Sequence, residues 1–402
     1  KEKHKAKTLI IPETILSTLF GEAVKRLEKA EELLQSPEGG ALLRRTSSSQ
    51  QHYDIRDACM IIILTTSGIR VHELASIKTG GCYTVQSNSN ERYYWMQGRS
   101  EKTYEGDTEW LVCNMTYRAL QIAEEIAFPL QETLSEQIKK HEKILLNSME
   151  AQELRRYQKA LFLGKSSQKT DEIKPLSNAN ILYRINQFAQ RHDIDWHFTP
   201  HQFRRTFANY AARSAYGDLR YLRDHFKHWS LDMTILYAMN EQQDVELYDE
   251  IMVAIKNEKI AIVEHWLEED TLLAGGMAGQ VRSFRSKTEA VRTYNTRVQL
   301  AEQISQQVHI RATTVAWCTA DNTDCSGRGV ADNTRCGECN NAIIDDRKKA
   351  VWVGIHNQQL ELRDVDDIGE PGRLRVERDI KRCELVLKQL NVNVENRNPV
   401  KA

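Results

Sequence analysis

The chain has 402 residues, 41% of them hydrophobic, which is enough for two or three domains with real cores. Its net charge of −1 gives no overall basic character, but the charge is uneven: residues 1–240 hold 33 Lys and Arg against 29 Asp and Glu, and the remaining 162 hold 22 against 27, which favours a polyanion partner for the first part. The longest apolar run, residues 58–64, is far short of the roughly 20 residues that span a bilayer, and eight cysteines are too sparse for a disulfide scaffold, so a cytoplasmic protein is the simplest reading.

Apolar residues at Ile15, Leu16, Leu19, Phe20, Val24, Leu27 and Leu33 fall near helical spacing and predict a helix over 12–35. Ser36-Pro37-Glu38-Gly39-Gly40 ends it, and residues 37–52, rich in Ser, Gly and Gln, read as an exposed linker. Residues 53–66 predict an apolar helix that stops at Ser67-Gly68. The aromatic and β-branched segments beginning at Cys82, Arg92 and Glu109, with turn residues between them, predict a small antiparallel sheet. Residues 116–160 return to charged helix, and 164–174 read as a polar loop.

Thr199-Pro200-His201-Gln202 is a helix start: Thr199 suits the N-cap, Pro200 the first helical position, and Gln202 completes a capping box. His201 and Arg204 are then three apart on one face of that helix, near its N-terminus. A second helix is expected over about 218–227, and Ser230 can cap a third that carries Tyr237. Helical patterns follow at about 241–268, 287–308 and 373–390. We read four segments: 1–52, an N-terminal helix and linker; 53–240, a mostly helical unit with the small sheet; 241–308, a helical extension; and 309–402, a cysteine-bearing module with a C-terminal helix.

The chemistry concentrates in 201–237, where His201, Arg204 and His228 precede Tyr237. A tyrosine hydroxyl, with an unperturbed pKa of about 10, is a poor nucleophile at neutral pH. Arg and His around it suit attack on a phosphate, whose developing charge must be neutralised. Upstream, Arg70 directly follows the helix-breaking Gly68 in Ser67-Gly68-Ile69-Arg70-Val71-His72-Glu73, and Lys102 lies between two predicted strands. Taken singly these are ordinary residues: a half-buried Tyr, structural histidines, a salt bridge of Arg70 with Glu73, and a solvated hairpin lysine.

In order, however, they resemble the tyrosine recombinases, the phage-integrase family, over about residues 53–240. The resemblance makes Arg70 the first arginine, with Glu73 at the family's acidic position, and Lys102 the hairpin lysine, although Arg99 lies close by. It makes His201 and Arg204 the H-x-x-R box and His228 the second histidine, nine residues before the nucleophile Tyr237. Lys227 departs from the Gly often found before that histidine. The resemblance implies a mainly α (α+β) fold, a helical catalytic domain with a small antiparallel sheet. It also implies cleavage and rejoining of double-stranded DNA through a 3′-phosphotyrosine, with no metal or ATP in the chemical step. Arg70, Arg204 and His228 would hold the phosphate, Lys102 would be the general acid, His201 the general base or positioner, and Glu73 would orient Arg70. The partners implied are two DNA sites and further copies of the chain in a tetramer, with the segment after the nucleophile packing on a neighbour. An integrase of a mobile element, nucleoid-associated, is the reading favoured. Lys1 in place of Met, and only 50 residues before the match, point to an absent core-binding domain. The alternatives are a non-enzymatic zinc-containing DNA-binding or regulatory protein and a type IB topoisomerase.

Cys318, Cys325, Cys336 and Cys339 give C-x6-C-x10-C-x2-C, with the Cys336–Cys339 pair in a zinc-knuckle shape. Four thiolates make a closed, structural zinc site. His309 could replace one ligand, and four reduced cysteines in a small core is the competing reading. The few apolar residues of 318–341 give that stretch little else to fold around.

Overall fold

The computed structural model describes residues 9–45, 49–86, 92–100, 106–144, 149–165, 172–215, 245–320, 332–365 and 367–393. It divides into two compact units, one of residues 1–211 and 220–251, the other of 212–219 and 252–402. The described parts are mostly helical with small antiparallel sheets.

In the first unit, helix α1 (Glu13–Leu34) buries Leu16, Leu19, Phe20, Val24 and Leu27, the stripe its apolar spacing foretold. Residues read as an exposed linker form a further helix, α2 (Pro37–Arg45). Pro37 takes the first helical position, where its missing N–H costs nothing, the Ser36 hydroxyl accepts the Gly39 N–H at 3.0 Å, and Leu43 is buried. Burial of that leucine outweighs two poor helix formers, Gly39 and Gly40. Helix α3 (Gln50–Ser67) is apolar on every side from Ala58 to Leu64 and buried throughout that run, so it is the central element on which α1 and the long helix α5 (Asn114–Ile144) pack.

After the one-and-a-half-turn helix α4 (Val71–Ser76), three strands β1 (Cys82–Gln86), β2 (Arg92–Ser100) and β3 (Gly106–Val112) pair antiparallel in sequence order. Tyr83 lies opposite Trp95 with the rings stacked at 6.4 Å. Helix α6 (Met149–Tyr157) follows α5. The polar loop expected over 164–174 instead begins and ends in short strands, β4 (Leu163–Lys165) and β5 (Ile173–Pro175), held because Leu163 and Ile173 are buried with Leu130 and Leu134 of α5. Helix α7 (Asn178–Arg191), capped by the Ser177 hydroxyl, and α8 (Pro200–Ala215) complete the described part before residue 216.

Helix α9 (Val245–Leu267) supplies buried Leu247 and Ile251 to the first unit and Ile262, Val263, Trp266 and Leu267 to a core of the second. In the second unit four short strands, β6 (Leu273–Ala274), β7 (Arg311–Ala312), β8 (Trp317–Cys318) and β9 (Ala342–Asp345), pair antiparallel in the order β6-β9-β8-β7. Helices α10 (Ala278–Lys287), α11 (Tyr294–Gln307), α12 (Lys349–Arg363) and α13 (Gly369–Gln389) surround them. All four residues of β9 are buried, and alternate side chains serve two cores: Ile343 joins Trp266 and Trp317, while Ala342 and Ile344 join Trp352, Cys383 and Val386. By the same alternation Asp345 falls on the Ile343 side, where it meets the two tryptophans.

Candidate active site

The last turn of α3 prepares a sharp change of direction. The Thr66 and Ser67 hydroxyls donate back to the Ile62 and Ile63 carbonyls at 2.7 and 2.6 Å. Gly68 closes the helix in the left-handed conformation, φ +67°, its N–H on Leu64 O. A Cβ there would stand 2.5 Å from Cδ1 of Phe207, so the residue is a glycine both for its backbone and for the close approach of α8.

Two residues on, Arg70 caps α4. Its backbone N–H donates to Glu73 Oε2 at 2.7 Å and its Nη1 to Glu73 Oε1 at 2.6 Å. Glu73 has no exposed surface and Arg70 is 7% exposed. A carboxylate that holds both the peptide nitrogen and the guanidinium fixes the direction of that side chain.

Arg204 arrives from α8. Pro200 is the first helical residue, and the Thr199 N–H donates to the Gln202 side chain at 2.9 Å, one arm of the capping box that the sequence spelled out. Phe203, Phe207 and Ala211 are buried beneath the helix, Phe203 stacking on Phe198 at 5.6 Å. Arg204 itself is 2% exposed; its Nη1 donates to the Gly68 carbonyl at 3.2 Å and its Nε to Glu250 Oε1 at 3.3 Å. The same turn is thus followed directly by Arg70 and receives Arg204 at its Gly68 carbonyl. His201, one helical turn before Arg204, is exposed.

The β2–β3 hairpin is tied to this place through α4. The Ser76 hydroxyl accepts the Arg99 N–H at 2.7 Å, three residues before Lys102. Lys102, His228 and Tyr237 lie outside the described residues, as do the helices expected over 218–227 and after Ser230. Two contributors were not read from the sequence. Glu250 is 46 residues from Arg204, with no local spacing to reveal it. Asn186, on α7, grips both sides of the Phe198 peptide, accepting its N–H at 2.8 Å and donating to its carbonyl at 3.1 Å, and so aims the segment that starts α8.

In the second unit Cys318, Cys336 and Cys339 are half-buried, and Cys325 lies outside the described residues. Cys336 and Cys339 stand on a tight turn, with Cys339 N–H to Cys336 O at 3.4 Å and Ala342 N–H to Cys339 O at 2.9 Å. The β8–β9 register places Cys318 opposite Ala342, at the end of the sheet from which that turn springs. Among the described residues, the group whose ligand atoms all close to within 4.8 Å of one another is His265, Asp345 and Asp346 rather than these three thiols. No helix of the described residues is long and apolar enough to cross a membrane.

The sequence profile of the phage integrase family matches residues 32–244, just over half of the chain. A tyrosine recombinase of Agathobacter rectalis is 39% identical over 75 residues, 18% of this chain and 24% of that protein. The tyrosine recombinase XerC of Alcanivorax borkumensis is 24% identical over 226 residues, 56% of this chain and 60% of the relative. A solved structure, of XerA recombinase, aligns at 17% identity and a TM-score of 0.27, covering 62% of this chain and 66% of that one. The chain thus spans less than two thirds of the length of each of these relatives.

Proposed function

Because the chain belongs to the phage integrase family, we propose that it is a site-specific DNA recombinase, the integrase of a mobile element, that cuts and rejoins double-stranded DNA through a tyrosine. The observation that carries this reading is the convergence of Arg70 and Arg204 on the Gly68 turn, each guanidinium held by a carboxylate. Planar guanidinium donors suit the non-bridging oxygens of a phosphodiester, and charge that is held in place beforehand needs no reorganisation as the transition state forms.

In the reaction Tyr237 Oη attacks phosphorus while the bond to the deoxyribose 5′-oxygen breaks, leaving a 3′-phosphotyrosine and a 5′-hydroxyl. Lys102 gives its proton to the leaving oxygen. His201, in the first turn of α8, takes or positions the proton of Tyr237. His228 adds a hydrogen bond to the phosphate. The new ester keeps the energy of the old one, so a 5′-hydroxyl from a second duplex reverses the step without ATP.

We assign the cysteines Cys318, Cys325, Cys336 and Cys339 to a structural zinc ion. Support comes from the knuckle-like turn and from the register that sets Cys318 beside it. Bound there, zinc would tie the β8–β9 end to the 332–341 segment, and it takes no part in strand transfer. The acidic balance of 241–402 favours a protein surface, another copy in a tetramer on two DNA sites, as what this region meets.

The test is a plasmid carrying two target sites, incubated with the protein in chelator and without ATP. Recombinant circles are expected. Relaxed circles alone would indicate a monomeric topoisomerase, and bound but unaltered plasmid would remove the enzymatic reading.

A further inference from the structure

One group of ligating side chains in the second unit takes no part in strand transfer or in the cysteine cluster. His265 lies in the last turn of α9, Asp345 ends β9 and Asp346 begins the turn after it; one ligand atom from each lies within 4.8 Å of the others. Asp345 is completely buried. Its Oδ2 accepts the indole N–H groups of Trp266 at 3.2 Å and Trp317 at 2.9 Å, and Arg347 Nε at 3.0 Å. Its Oδ1, also buried, has no hydrogen-bond partner among the described residues. A carboxylate oxygen left bare in a protein interior forfeits its full hydration, so one that persists calls for a partner.

His265 points to what the partner is. Its Nδ1 is 3.0 Å from Glu268 Oε2 and its Nε2 2.8 Å from Asp346 Oδ1. A neutral imidazole has one N–H and cannot donate to both carboxylates. An imidazolium would satisfy Glu268 and Asp346 but would leave Asp345 Oδ1 bare. A cation beside Nε2 serves all three: Nδ1–H donates to Glu268, the Nε2 lone pair faces the ion, and Asp345 and Asp346 complete the set. An outer carboxylate that fixes the tautomer of a ligating histidine is the usual arrangement around protein-bound metals.

We propose that His265, Asp345 and Asp346 bind a divalent transition-metal ion, zinc by its donor chemistry, with Glu268 as the orienting carboxylate. An imidazole with two carboxylates suits zinc better than magnesium or calcium, which take oxygen sets. The Asp346 side chain is 56% exposed and that of His265 27%, so water can fill the remaining position. Three carboxylates face two guanidiniums, Arg347 at Asp345 and Arg297 at 3.8 Å from Glu268, which leaves one negative charge for the ion. The ion joins the end of α9 to the end of β9, residues 81 positions apart in sequence, and so braces the core around Trp266 and Trp317.

The experiment loads the whole protein, stripped by chelator, with cobalt(II) in place of zinc. We expect two equivalents: one with the charge-transfer absorption of thiolate ligands, one with only the weak bands of nitrogen and oxygen ligands. Asp346→Asn, a change at an exposed side chain, and His265→Gln should each remove the second equivalent and leave the thiolate band intact. Glu268→Gln should weaken it roughly 10–100-fold. A stoichiometry and spectrum unchanged in Asp346→Asn, whose circular dichroism reports its fold, would overturn the site, as would a wild type that binds only thiolate-ligated cobalt. Binding without any thiolate band would support this site and remove the cysteine assignment.

Discussion

Arg70 and Glu73 form a pair almost without solvent, and removing one partner breaks a buried salt bridge. Glu73→Ala should therefore cost about 3–5 kcal/mol in chemical denaturation, and it should slow DNA cleavage further than the loss of folded protein explains. His52 gives a second test at this scale. It is 1% exposed, and burial together with the Arg56 charge lowers its pKa to about 4, against a weaker opposing bond to the Leu43 carbonyl. The folded form stays neutral while the unfolded chain takes up a proton near pH 6.5. The contribution is thus fully present above about pH 6.5 and is lost as pH falls towards 4, a total of about 3 kcal/mol. Urea unfolding at several pH values should show this slope, and His52→Leu should flatten it. Arg70 with Glu73, and His201 with Arg204, could be picked out because each pair sits in a local pattern four residues long. Glu250 could not, since what pairs it with Arg204 is tertiary folding.

At the scale of elements, the Gly68 turn is the joint on which the site depends, because its carbonyl receives Arg204 and its next residue but one is Arg70. Gly68→Ala forces an L-residue into φ +67° and drives a methyl group against the Phe207 ring. Thermal unfolding should show a loss of about 2–4 kcal/mol, and DNA cleavage should fall with it. The helices α1, α3 and α8 could be read because an apolar stripe or a cap marks each of them. Helix α2 could not: its Pro and Gly content looks like a linker, and the burial of Leu43 that decides the matter comes from tertiary packing. Strands of two or three residues, such as β4 to β8, contain too few alternations to announce themselves.

At the scale of the whole molecule, the two compact units have separate cores, so the cysteine module belongs to the stability of the second. If zinc binds there, Cys336→Ser should lower the calorimetric transition of the second unit by several degrees and leave that of the first in place. Added zinc should not restore it. The proposed strand transfer assigns the chemistry to the first unit's arginines together with Tyr237, and a trapped reaction tests that proposal most directly. A duplex nicked next to the cleavage position loses its 5′-hydroxyl fragment after attack, which strands the intermediate. The wild type is expected to form a covalent protein–DNA adduct whose peptide maps to Tyr237, and Tyr237→Phe to bind the same duplex without forming one. No adduct from wild type that binds the duplex, or an adduct that persists in Tyr237→Phe, would contradict the account.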